Sequence, residues 1–242
     1  MSRFFASGGN QISAFIAATL SGVLLVLSFP LVGHPVFAWV SLCPLLVSLH
    51  YTRSRSSAFS LGLTTGVVQF AGTLPWLTQV IVEFGGLPLA LGMLLNGLLV
   101  VYLALFPAAF AFMLVVLRQR FGASALFSAA PVWLTTELGR SWLLGGFPWE
   151  LLGYSQTAVL PVAQIASLFG VHGITLLVVF VNSAIVFALV GQRTQRMRVL
   201  ITAAGVLVGV LLFGFWRLSD NRLLEEGEPL RVGLIQGNVA QE

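Results

Sequence analysis

The positions of the basic residues constrain this chain more than any other feature of its sequence. All twelve are arginines, and they stand in small groups between long apolar stretches. Residues 4–52 and 151–192 contain no Asp, Glu, Lys or Arg, and 57% of the 242 residues are apolar while only 8% are charged. A soluble domain of this size cannot bury so much apolar surface. Because lipid cannot satisfy loose backbone N–H and C=O groups, such a chain must cross a membrane as α-helices.

Turn signals and arginine groups divide the chain into about seven predicted membrane-spanning helices, which makes it an all-α polytopic membrane protein. The predicted spans cover about residues 12–30, 36–50, 58–74, a length within 87–117, 124–143, 161–190 and 199–216.

The arginine groups also predict the orientation of the chain in the membrane. A cytoplasmic N-terminus places four of these groups on the cytoplasmic side, as the positive-inside rule requires. The four groups are Arg3, Arg53 with Arg55, Arg118 with Arg120, and Arg193 with Arg196 and Arg198. An odd number of crossings then carries the residues after Trp216 to the outer side. Since topology explains the basic charge, we do not predict nucleic-acid binding.

The composition changes after the last predicted span. Residues 218–229 are polar and acidic, and we interpret them as a linker that leaves the membrane domain of residues 1–217. The sequence LRVGLIQGNV at residues 230–239 predicts a β-strand that runs into a Gly-Asn turn. A single strand is not stable by itself. We therefore expect residues 230–242 to begin a truncated α/β domain, and the chain to be a fragment of a longer protein.

Polar and aromatic side chains concentrate in residues 135–156. Glu137 and Arg140 are three residues apart on one helix face, and ionisable groups near the end of a span are costly unless they are paired or wetted. A Gly-Gly pair and a proline then break the helix, and the residues that follow at the expected outer interface include Trp149, Glu150 and Tyr154. Two interpretations remain open: an aromatic belt with an ion pair that joins two helices, or the lining of a cavity for lipid substrates.

A second segment of interest lies between two predicted spans. Residues 74–88 (LPWLTQVIVEFGGLP) contain Trp76, Glu83 and a Gly-Gly pair. This segment is either an ordinary amphipathic loop or a flexible gate at the membrane interface.

Other polar residues within the spans suggest structural roles. Asn96, His172 and Asn182 lie in apolar surroundings, where hydrogen bonds between helices are expected. Cys43, the one cysteine, is expected to be a small buried apolar residue. The sequence shows neither metal-ligand spacing nor a phosphate-binding GxxxxGK motif, so we predict no metal and no cofactor.

Two segments together carry a family resemblance. The sequence GFPW at residues 146–149, followed by GYSQ at residues 153–156 and preceded by Glu137 and Arg140, resembles the membrane region of bacterial apolipoprotein N-acyltransferases. The sequence RVGLIQGN at residues 231–238 is similar to the first strand of the nitrilase-like catalytic domain of that family. The resemblance extends over nearly the whole chain.

This resemblance implies a reaction at the bacterial inner membrane, with the C-terminal tail in the periplasm. An acyl chain would pass from a phospholipid donor to the α-amino group of the diacylglyceryl-cysteine of a lipoprotein acceptor. The family uses a Glu-Lys-Cys triad and a thioester intermediate. The present chain contains no lysine, and Cys43 lies in a predicted span. We therefore assign it no catalytic residue and expect it to be inactive alone.

The role expected for the chain is to anchor the catalytic domain and to admit lipid substrates. The expected substrate-binding residues are Glu137, Arg140, Trp149, Glu150 and Tyr154, and the expected gate residues are Trp76 and Glu83. The alternatives are a multi-span lipid transporter or flippase, or a structural scaffold subunit. The scarcity of charges within the spans and the lack of a visible internal repeat disfavour the transporter.

Overall fold

The computed structural model describes residues 10–30, 32–219 and 230–237. Within these ranges the protein is a bundle of helices, and short 3-10 helices lie between the α-helices. The α-helices are α1 (Asn10–Ser28), α2 (Cys43–Tyr51), α3 (Arg55–Thr73), α4 (Pro75–Glu83), α5 (Leu89–Phe121), α6 (Ala129–Trp142), α7 (Leu160–Ala163), α8 (Ala166–Val190) and α9 (Arg193–Ser219). The 3-10 helices are Pro35–Trp39, Gly122–Ser128, Leu143–Gly145 and Leu152–Gln156.

Four helical segments in the described ranges are long and apolar enough to cross a membrane. They are Gln11–Ser28, Leu89–Gly145, Ala166–Val190 and Arg193–Ser219, and the second of them comprises α5 and α6. The apolar helical stretch Pro35–Tyr51 is shorter. The prediction of a polytopic α-helical membrane protein is confirmed in this coarse form, whereas the number of seven crossings stays a prediction.

The tail does not show the predicted strand. Residues 230–237, the part of the predicted strand that the structure describes, are neither strand nor helix. Leu234 and Ile235 are almost fully exposed, at 94% and 98%. The physical reason is that a strand is stabilised by the ladder it forms with a neighbouring strand and by an apolar face that it buries. The described residues 230–237 are exposed and so bury no such face. The predicted linker falls largely on residues 220–229, which lie outside the described residues, as do residues 238–242.

Small residues bring α3 and α5 into close contact at the centre of the bundle. Gly62 and Gly66 are four residues apart on α3 and face Ala108 and Ala104 of α5. A Cβ atom added to Gly62 would lie 2.8 Å from the Cα of Ala108, and one added to Gly66 would lie 2.7 Å from the Cα of Ala104. Membrane helices commonly associate through such small residues, which let the two backbones approach and gain dispersion contacts. This contact positions α4, because α4 follows directly after α3.

Asn182 of α8 fixes the junction between the first 3-10 helix and α2. Its Nδ2 donates to the carbonyl oxygen of Ala38 at 2.9 Å, and its Oδ1 accepts from the backbone N–H of Leu42 at 2.9 Å. These backbone groups lie where regular helical bonding is interrupted, so the carboxamide supplies bonds that lipid cannot. The predicted role of Asn182 in joining helices is confirmed.

Asn96 of α5 has a similar role at the start of α4. Its Nδ2 donates to the carbonyl oxygen of Leu74 at 3.0 Å and to Thr78 Oγ1 at 2.9 Å. The prediction of a hydrogen bond between helices is therefore confirmed for Asn96 as well. For His172 it is not confirmed, because its buried Nδ1 has no hydrogen-bond partner among the described residues.

Three of the arginine groups meet at one end of the bundle. The Arg118 guanidinium donates to the carbonyl oxygen of Thr52, and Gln119 Nε2 donates to the carbonyl oxygen of Arg53 at 2.9 Å. The rings of Phe127 and Phe187 lie 4.8 Å apart, which places the end of α8 beside the residues that follow α5. The arginines at the start of α9 follow directly after α8. The shared end, named here the arginine end, agrees with the grouping inferred from the sequence.

Candidate functional site

A cavity of about 1260 Å³ opens between α4 and the irregular segment that follows α6. It lies away from the arginine end, because α4 follows the C-terminus of α3 while Arg55 begins that helix. One wall comes mainly from α4, and the other from residues 148–154, named here the loop wall. The lining is mostly apolar and includes Trp76, Val82, Glu83, Trp149, Glu150 and Tyr154.

Five of the seven residues expected from the sequence line this cavity. They are Trp76, Glu83, Trp149, Glu150 and Tyr154. The indole rings of Trp76 and Trp149 come from opposite walls, with centroids 5.7 Å apart and planes inclined at 43°. Both indoles are partly exposed, at 40% and 52%. The two segments singled out separately in the sequence therefore line one cavity.

Glu137 and Arg140 lie beneath the loop wall instead of in the cavity lining. They are 4% and 3% exposed. Glu137 Oε1 accepts from the backbone N–H of Leu152 at 2.8 Å, and the Arg140 guanidinium donates to the carbonyl oxygens of Trp149 and, at 3.3 Å, Glu150. Helical spacing correctly predicts that the two side chains share a face, but that face supports the loop wall from inside the bundle.

The backbone reverses sharply between α6 and the loop wall. Gly145 and Gly146 have φ angles of 91° and 78°, a region that side chains with a Cβ rarely adopt. Glu150 has φ 55°, in the same left-handed region although it is not a glycine. Such a conformation persists where the surroundings hold it in place, and the bond from Arg140 to the Glu150 carbonyl does so here.

The GYSQ sequence anchors the loop wall to the rest of the bundle. Gly153 packs against Val171 of α8, and its N–H donates to Thr175 Oγ1 at 2.9 Å. Gln156 Oε1 accepts from Trp39 Nε1 at 3.0 Å, and its Nε2 donates to the carbonyl oxygen of Pro35 at 2.9 Å. The sequence pattern did not single out Thr175, and it singled out Gln156 only as part of the GYSQ sequence, although a hydroxyl and a carboxamide beside long apolar stretches are signals of such bonding.

The Glu150 carboxyl in the loop wall has a raised pKa. Burial raises its pKa, against a hydrogen bond from Thr73 and the positive charge of Arg140, which both lower it. Its Oε2 is buried and has no hydrogen-bond partner among the described residues. The carboxyl therefore keeps its proton to a higher pH than a free glutamate does.

Potential metal ligands and the cysteine lie apart from one another in the described ranges. They contain no group of three or more His, Cys, Asp or Glu side chains that could hold a metal ion. Cys43 lies in α2 with its Sγ 3.4 Å from Asn182 Oδ1, and it is not a lining residue of the cavity. The cavity wall offers apolar surface, aromatic rings, hydroxyls and two carboxyl groups, a combination that suits the binding of an amphiphile.

Comparison with known proteins connects this architecture to one family. A family model described as the apolipoprotein N-acyltransferase N-terminal domain matches residues 21–184. Similar curated proteins are the apolipoprotein N-acyltransferases of Geobacter metallireducens, Vibrio vulnificus and Methylococcus capsulatus, which are 39%, 35% and 35% identical over 232, 233 and 235 residues. The alignments cover 94%, 93% and 95% of this chain but 44%, 43% and 44% of the relatives. The chain therefore spans less than half the length of these relatives.

Proposed function

Because the chain belongs to the apolipoprotein N-acyltransferase family, through its N-terminal domain, we propose that it is the membrane part of such an enzyme. The enzyme would transfer an acyl chain from a phospholipid to the N-terminal diacylglyceryl-cysteine of lipoproteins. The observation that carries this proposal is the cavity of about 1260 Å³, since its largely apolar lining suits an acyl chain and the few polar side chains in that lining suit a headgroup. The relatives are named as acyltransferases, so we do not retain the transporter alternative.

The catalytic groups of the reaction are proposed to lie outside this chain. A nucleophilic thiolate needs an exposed, electropositive setting, which a cysteine in an apolar helix lacks. The chain contains no lysine, and its one cysteine, Cys43, is in α2. The proposed role of residues 1–217 is therefore to anchor a nitrilase-like domain, which residues 230–242 are proposed to begin.

Substrate binding is assigned to the residues that line the cavity. Trp149 and Tyr154 present partly exposed rings to the acyl chains, and Glu150 faces the polar part of the lipid. The gate is assigned to α4 with Trp76 and Glu83. This assignment is supported by the exposure of α4, in which no residue is buried, and by the Gly85-Gly86 pair that follows it, where Gly86 has φ 63°.

We propose seven crossings, with the arginine end in the cytoplasm of the bacterial inner membrane and the cavity at the periplasmic side. This orientation is supported by the close contact of Gly214, near the end of α9, with Pro161, which follows the loop wall. The chain after α9 then emerges on the cavity side. Alkaline phosphatase fused after residue 217 is expected to be active, because this reporter folds only outside the cytoplasm. An inactive but fully expressed fusion would contradict the orientation.

The acyltransferase proposal is tested with a chimera. This chain replaces the matching region of the Geobacter metallireducens relative, to which it is 39% identical, and the purified chimera is incubated with phospholipid and a diacylglyceryl peptide. We expect N-acylation by the chimera and none by the 242-residue chain alone. Trp149→Ala in the chimera is expected to lower kcat/KM by about tenfold, since an aromatic contact contributes roughly 1 kcal/mol or more.

Two results of the chimera experiment would count against the proposal. One is a folded chimera without N-acylation, and the other is N-acylation by the 242-residue chain alone. Trp142→Ala is the matched control, because Trp142 is 81% exposed and is not a lining residue of the cavity. Its kcat/KM is expected to stay within about twofold of the unchanged chimera.

A further inference from the structure

We propose that Glu137, Arg140 and Thr175 are positioning residues that fix the loop wall from beneath, so that α4 alone moves when a lipid enters. This inference rests on the proposed function of the cavity as a lipid site. It differs from the expectation drawn from the sequence, in which Glu137 and Arg140 touch the substrate. The three residues are named here the clamp.

The clamp satisfies four backbone groups within five residues of the loop wall. Arg140 donates to the carbonyl oxygens of Trp149 and Glu150, while the N–H groups of Leu152 and Gly153 donate to Glu137 Oε1 at 2.8 Å and Thr175 Oγ1 at 2.9 Å. An irregular segment inside a membrane protein has to find partners for such groups in side chains. The clamp thus determines where residues 149–153 lie.

Thr175 connects the two halves of the clamp. Its Oγ1 accepts from the Gly153 N–H and donates to Glu137 Oε2 at 3.0 Å, and Thr175 is fully buried. A hydroxyl has one proton, so accepting from Gly153 leaves that proton for Glu137. Glu137 also accepts from Trp133 Nε1 at 3.0 Å. Three donors therefore converge on the carboxylate, which acts only as an acceptor, and Arg140 supplies a nearby positive charge.

The clamp makes the loop wall harder to move than α4, which forms the opposite wall of the cavity. Arg140 is buried with its Cζ 5.2 Å from the centroid of the Phe70 ring. Moving the loop wall would strip the guanidinium of its carbonyl partners inside the bundle, and an unpartnered buried charge is strongly unfavourable. No residue of α4, in contrast, is buried. Movement of α4 would break the bond from Asn96 Nδ2 to Thr78 Oγ1, whereas movement of the loop wall would break every bond of the clamp.

Thr175→Val tests the clamp, with Ser183→Ala as the matched control on the same helix. Ser183 is also a buried hydroxyl, but it donates to the carbonyl oxygen of Val179 within α8. In the chimera, Thr175→Val is expected to raise the KM for phospholipid about tenfold, the loss expected for a hydrogen bond to a charged group. The kcat is expected to stay within about twofold, because the catalytic groups are untouched. Thr175→Ser is expected to restore the KM, and Ser183→Ala to leave it unchanged.

Hydrogen exchange of the 242-residue chain in lipid nanodiscs tests the clamp without any activity. Thr175→Val is expected to accelerate exchange of the Leu152 and Gly153 amides at least about tenfold, while exchange in α3 stays unchanged. In the unchanged chain, α4 is expected to exchange faster than the loop wall. An inactive chimera with these exchange results would refute the proposed function alone. Identical exchange and identical KM in Thr175→Val and Ser183→Ala would overturn the clamp.

Discussion

Gly62→Leu is expected to destabilise the helical bundle by about 3 kcal/mol, the upper part of the range for overpacking a well-packed site. The reason is the contact between α3 and α5. A Cβ at Gly62 would meet the backbone of Pro107 and Ala108, lying 2.8 Å from the Ala108 Cα, so no side-chain rotation on α5 relieves the clash. The two helices must separate, which also opens the packing of Gly66 against Ala104. Since α3 leads into α4, the cavity is expected to lose its shape as well.

Gly97→Leu is the matched control for this prediction. Gly97 lies on α5, and no atom lies within 4 Å of the position that its Cβ would occupy. The control removes a glycine from a helix interior without a clash, so its stability is expected to equal or slightly exceed that of the unchanged chain. Thermal unfolding in detergent, followed by circular dichroism, compares the two variants. Equal midpoints for Gly62→Leu and Gly97→Leu would contradict the packing described for α3 and α5.

Sequence patterns predicted which parts of the chain are helical and which groups of arginines share one end of the bundle. The predicted spans fall on helices because each one is a local apolar run, bounded by glycine, proline or arginine. The contact of Arg118 with Thr52 agrees with the grouping because charges avoid lipid regardless of the tertiary structure. Patterns of this kind act over a few residues and require no knowledge of packing.

The partners of the buried polar groups could not be predicted in the same way. Glu137 and Arg140 share a helix face, but the face that they contact is set by Leu152 and Thr175, which are 15 and 38 positions from Glu137. The same difficulty applies to the hydrogen bond between Trp39 and Gln156, which are 117 positions apart in the sequence. Local spacing gives the side of a helix, whereas tertiary packing decides whether that side lines a cavity or supports it.

The predicted strand at residues 230–239 shows that a local sequence preference alone does not determine the structure. Its β-branched and apolar residues carry strand propensity, yet residues 230–237 form no strand in the structure. Strand propensity is mostly a measure of packing on a half-buried surface, and such a surface is lacking around the exposed Leu234 and Ile235. Strand propensity in the sequence is therefore insufficient to form a strand when no neighbouring strand pairs with it.

The second large effect is expected in lipid capture by the cavity. A phospholipid with a photoactivatable group on its acyl chain, incorporated in nanodiscs with the 242-residue chain, is expected to label α4 and the loop wall. Trp76→Ala together with Trp149→Ala should reduce this labelling about tenfold, because two aromatic contacts of roughly 0.5–1.5 kcal/mol each are lost. Labelling at Ile12 and Ile16 of α1, which are 72% and 63% exposed, is the internal control and should not change.

Mass-spectrometric mapping of the labelled residues is the most direct test of the claim that this cavity receives phospholipid acyl chains. The predicted result is label on residues 73–89 and 148–154, and its loss in the double variant while the label on α1 persists. Label confined to the outward faces of α1 and α9, and unchanged by the two tryptophan substitutions, would contradict the claim.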